Sequence, residues 1–141
     1  MTDDEFLAGV ESAARGAPPH GFHFGHPEHL RLAWLQHERL GRDEGGEATA
    51  ATLARIDAAH GGGKYHETIT RFWLGLVWHA SRRFEGRSFE TVLAEHPQLL
   101  DGAMLTRHYS PQLLASDEAR RRCVAPDLEP VPWEAGSGTT R

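Results

Sequence analysis

Apolar residues along this chain recur at intervals of three and four, and no run of β-branched residues alternates with polar ones. That pattern predicts an all-α protein. A first helix is expected over 3–14, capped by Thr2, with Phe6, Leu7 and Val10 on its buried side; Gly16-Ala17-Pro18-Pro19 stops it. A loop rich in His, Phe and Gly follows over 20–25. A second helix is expected over 27–40, with Pro27 as its first helical residue and Leu30, Ala33, Trp34 and His37 along one side. Gly41 and Gly45-Gly46 end it and open a turn. A third, alanine-rich helix spans 47–60 and breaks at Gly61-Gly62-Gly63.

The fourth helix, over 65–84, carries the longest stripe: His66, Ile69, Thr70, Trp73, Leu76, Val77, Ala80 and Phe84. It is the expected centre of the core. Ser88 caps a fifth helix, which His96-Pro97 interrupts and which restarts as far as Thr106. Ser110-Pro111 and Ser116-Asp117 each read as a cap, so 111–124 is one kinked helix or two short ones. The expected architecture is a single bundle of five to six helices over 1–124 and an extended or disordered proline-rich tail over 125–141. Trp133 is placed to fold back on the bundle.

Bulk properties narrow the classes. The hydrophobic fraction of 39% and the charged fraction of 25% are those of an ordinary globule, and a net charge of -5 argues against nucleic acid as a partner. The one cysteine, Cys123, precludes an internal disulfide and a cysteine-based zinc motif, and is read as a small buried hydrophobe. No apolar run is long enough to cross a bilayer, and the first residues are acidic where a signal peptide would be basic. A cytoplasmic protein without a membrane partner is expected.

Histidine carries the candidate chemistry. His26 and His29 stand three apart at a helix start, His66 opens the fourth helix beside Glu67, and His108-Tyr109 follows later. Short glycine turns favour antiparallel neighbours, so helices two and four should be parallel, with their histidines at one end. The fifth helical region would return His108 and Tyr109 to that end. Imidazole is the commonest protein metal ligand, and three nitrogens with an open position form a catalytic rather than a structural site.

Each residue also has a plainer reading. One of the His26–His29 pair can cap the loop while the other is exposed, and His66 can be a hydrogen-bonded core residue. Glu67 is a fourth ligand or general base, or it complements the helix dipole and pairs with Arg71. His108 and Tyr109 are groups beside the site that touch substrate or satisfy a helix end. His79, thirteen residues past His66 and so about 20 Å along the helix, is too far to share the site. His20 and His23 could cover it as a lid.

The runs Phe24-x-His26-x-x-His29-Leu30-Arg31-Leu32-Ala33-Trp34 and Lys64-Tyr65-His66-Glu67-Thr68-Ile69-Thr70, with Tyr109-Ser110-Pro111 and Leu114-Ala115-Ser116-Asp117-x-Ala119-Arg120, resemble an uncharacterised family of small helical bacterial proteins. The resemblance covers the chain from Phe24 to about Pro132. It implies that these motifs travel together, and it brings no activity with it. Gly25 departs from the pattern, which has a second histidine or another polar residue there.

Two functions from different classes follow. One is a metal-dependent enzyme on a small organic molecule, with His26, His29 and His66 binding zinc, copper, iron or nickel and Glu67, His108 and Tyr109 as catalytic candidates. With zinc it would hydrolyse or eliminate; with copper or iron it would oxidise. The other is a non-catalytic module that binds or senses a metal or small ligand at the same place. Acid–base catalysis by His66 and Glu67 without a metal is a further reading.

Overall fold

The computed structural model describes residues 1–135. All regular structure among them is helical, as the periodicity predicts. The chain divides between Tyr65 and His66 into two compact units, where a single bundle is expected from its length. The division follows Gly61-Gly62-Gly63, all three at positive φ, a run of backbone that residues with a Cβ rarely adopt.

The first unit is built from α1 (Asp3–Ala14) and α2 (His26–Ala59). Thr2 caps α1 in a reciprocal box with Glu5. Gly41, at φ 86° and ψ 178°, breaks α2 into two helical halves. The turn is therefore one residue, shorter than the expected 41–46. Helix resumes at once, and Gly45 and Gly46 lie buried inside it. Their role is close approach: a Cβ on Gly45 would lie 2.5 Å from the Gln36 carbonyl oxygen. Phe6 and Val10 of α1 pack with Leu32 and Leu35 of α2, and Phe22, Phe24, Leu53 and Ile56 complete that core. Ion pairs Arg31–Asp3 (2.9 Å) and Arg55–Glu11 (2.7 Å) tie the two helices at the surface.

The second unit is organised on α3 (Glu67–Arg83). After it come α4 (Phe89–Glu95), a 3-10 turn at Pro97–Leu100, and the short helices α5 (Ala103–Thr106), α6 (Pro111–Leu114), α7 (Asp117–Arg121) and α8 (Pro132–Ala135). Ser88, Ser110 and Ser116 cap α4, α6 and α7 through their side chains, as expected, and 111–124 is two short helices. The buried face of α3 differs from the expected stripe. Thr68, Phe72, Leu74 and Gly75 are buried, while Ile69, Thr70, Trp73 and Phe84 are only half-buried. Both α7 and α8 pack on this helix, so its apolar face is broader than one stripe centred on Trp73.

The proline-rich segment is part of this core as far as it is described. Val131 is buried, and the Trp133 ring stands 5.3 Å from that of Phe72, so Trp133 does fold back. Residues 136–141 of the expected tail lie outside the described residues. Trp133 fits because residue 75 is glycine: a Cβ there would come within 2.1 Å of its Nε1. Gly75→Ala is expected to lift Trp133 off α3, read as a red-shifted, more quenchable tryptophan emission that a Trp133→Phe background abolishes.

Candidate functional site

His26 and His29 occupy the first turn of α2, in the first unit. The helix begins one residue earlier than expected, so His26 is its first residue and Pro27 its second. Glu28 turns back to accept the Gly25 N–H at 2.7 Å, which fixes the chain's entry into the helix and engages the carboxylate between the two histidines. The His29 ring lies 4.5 Å from that of Phe24, which itself packs on Phe6 and Phe22. Burial lowers the pKa of His29 below its ordinary value, and the charge that His26 would carry lowers it further. The Glu28 carboxylate and a hydrogen bond to the Phe24 backbone oppose that shift. The result is a neutral imidazole at pH 7 beside a second imidazole. Nε2 of His26 is sealed from solvent.

His66 belongs to the second unit and does different work. It is buried, as expected, but as the residue before α3 rather than in its first turn, and its Nδ1 accepts the Ile69 N–H at 3.1 Å. Its Nε2 lies 2.8 Å from the Leu114 carbonyl oxygen. A carbonyl only accepts, so Nε2 carries the proton and Nδ1 the lone pair. Both ring nitrogens are thereby occupied, and the expected metal ligand is a helix cap in this fold. Glu67, expected as ligand or base, holds Arg71 at 2.7 Å, the i, i+4 pairing that was its alternative reading.

His108 and Tyr109 are likewise spent on backbone. His108 is buried, and its Nδ1 donates to the Glu129 carbonyl at 2.8 Å. The Tyr109 hydroxyl donates to the Val124 carbonyl at 2.8 Å. Phe72 packs against both rings, at 5.6 and 6.2 Å. Both are positions in a core.

Two residues that sequence reasoning passed over complete this network. Thr68, fully buried, donates to the Arg122 carbonyl at 2.8 Å and accepts the Val124 N–H at 3.2 Å. Asp127 accepts both the backbone N–H and the hydroxyl of Ser110, at 2.8 and 2.6 Å. The signal for Thr68 was its place inside Lys64-Tyr65-His66-Glu67-Thr68, where the histidine drew the attention. The signal for Asp127 was an aspartate after a proline in a segment without helix, a common acceptor of stray backbone N–H groups.

The Ser110 hydrogen bonds hold the Asp127 carboxyl below its ordinary pKa of 3.8. A depressed carboxylate adds stability that is present above the unfolded-state pKa and is lost as pH falls through the folded one. Acid is therefore expected to release the 127–131 segment below about pH 4, and Asp127→Asn to flatten that part of the pH profile of Tm.

The other histidines and Cys123 sit as follows. His60 ends α2, His96 ends α4 and stacks on Phe84 at 4.3 Å, and His37 is buried. His79 faces Trp133 at 6.4 Å, and His20 and His23 are exposed. Cys123 is exposed, contrary to expectation, because α7 ends at Arg121 and the chain leaves it extended. Among the described residues, no three His, Cys, Asp or Glu side chains stand together in a way that could hold a metal ion. No helix among them is long and apolar enough to cross a membrane. No family model, curated protein or solved structure matches the chain.

Proposed function

We propose that this chain is a small metal-binding module in which His26 and His29 take a divalent transition metal ion at the start of α2. One observation supports this reading most. Two imidazoles share the first helical turn, where residues three apart lie on one face, and the His29 ring is held against that of Phe24 at 4.5 Å. The two imidazoles offer nitrogen, which suits zinc, copper, nickel or iron rather than calcium or magnesium.

The binding reading is preferred to a metal-dependent enzyme because the expected catalytic groups serve the fold. Glu67, His108 and Tyr109 are engaged by Arg71, Glu129 and Val124, and His66 is a cap. Zinc at a hundred times its dissociation constant is expected to stabilise the chain by about 2.7 kcal/mol, a rise in Tm of about 5–10 °C. His26→Gln/His29→Gln should retain the metal-free Tm within a few degrees and lose the zinc-dependent rise. An undiminished rise in that variant contradicts the assignment.

A further inference from the structure

The link that leads to the second unit runs in the open. Residues 60–64 are exposed, and a Cβ on Gly61, Gly62 or Gly63 would meet no atom within 4 Å. Glycine-rich backbone has the most conformational freedom to lose on ordering. Here the ordering hydrogen bonds converge on one residue. The Gly62 N–H donates to the Asp57 carbonyl at 2.7 Å. The Asp57 carboxylate accepts the Lys64 N–H, at 3.1 and 3.3 Å to its two oxygens, and the Tyr65 N–H at 3.1 Å.

Asp57 stands in the last turn of α2, which holds no basic residue. A carboxylate there faces the negative end of the helix dipole. Aspartate is also a poor helix former compared with its neighbours Ala54, Ala58 and Ala59. The residue thus works against the helix that carries it, and what it grips accounts for its place. We propose that Asp57 is a latch: its carboxylate holds residues 64–65 in an ordered turn and, on letting go, leaves 61–65 an open glycine tether. The backbone bond from Gly62 belongs to both states, and only the bonds to the carboxylate are made and broken. The latch trades stability at the end of α2 for order in the link, so the two effects can be read separately.

Lys64 is the one lysine of the chain, so a lysine-specific endoprotease acting on the full chain cuts only after it. Such cleavage follows the population of the open link. Asp57→Ala should speed it about tenfold or more, as befits the loss of hydrogen bonds to a charged group. Asp57→Asn, which keeps one acceptor oxygen, should fall between, and Asp43→Ala, an exposed control in α2, should match the parent. In Asp57→Ala, amide exchange should quicken at Lys64 and Tyr65 and hold at Gly62. Its Tm should stay level or rise, because alanine suits the end of α2 better. Equal cleavage of Asp57→Ala and parent, or unchanged exchange at Lys64 and Tyr65, overturns the latch. Faster cleavage that comes with a fall in Tm overturns it as well, since Asp57 would then stabilise the fold at large.

Discussion

Gly45→Ala is expected to destabilise the chain by about 3 kcal/mol or more, the largest effect of any single methyl added to it. The new Cβ would stand 2.5 Å from the Gln36 carbonyl oxygen, 2.8 Å from its carbon and 2.9 Å from the His37 nitrogen. All three are backbone atoms, so no rotamer change relieves the contact, and the halves of α2 must part. Alanine's better helix propensity, worth about 1 kcal/mol, works in the opposite direction and is outweighed. Gly102→Ala is the control, since nothing lies within 4 Å of a Cβ there. Urea unfolding followed by far-UV circular dichroism should show a large loss for the first and a near-neutral result for the second.

Thr68→Val has the second largest expected effect. The replacement keeps the shape of the side chain and deletes only the hydroxyl that bridges the Arg122 carbonyl and the Val124 N–H. Thr68 is fully buried and both hydrogen bonds are part-buried, so two backbone groups lose a partner that water replaces only in part. Leaving a buried polar group unsatisfied costs about 1–3 kcal/mol, and the pair should bring the loss to about 3 kcal/mol. Thr68→Ser, which retains the hydroxyl, should cost markedly less. Amide exchange separates this mechanism from simple repacking: Val124 should lose protection in the valine variant and keep it in the serine variant.

These two positions also show what the sequence could and could not reveal. The helices were legible because their signals are local: Thr2, Ser88, Ser110 and Ser116 cap where a cap is read, and His96-Pro97 interrupts where it should. Gly45 was legible as glycine but not as an approach site, because a turn and a close contact ask for the same residue. The broad buried face of α3 was hidden because α7 and α8 are too short to announce what they cover. The candidate site was legible in part. His26 and His29 are paired by local helical spacing, whereas the tautomer of His66 is set by Leu114, forty-eight residues away. Histidine's value as a ligand and as a cap arises from the same lone pair, and only the partner decides between them.

The chain's conspicuous polar residues thus fall into two groups with different duties. His66, Thr68, His108, Tyr109 and Asp127 satisfy backbone in a unit whose short helices leave many groups unpaired. His26 and His29 remain as the pair to which we assign the metal. The central claim is this division, and histidine side-chain NMR during a zinc titration tests it most directly. Long-range nitrogen–proton spectra should report His66 as the Nε2–H tautomer throughout, with His66 and His108 unmoved. Zinc should shift His26 and His29 together, one equivalent sufficing. Zinc-dependent shifts at His66, with His26 and His29 unchanged, would contradict the account.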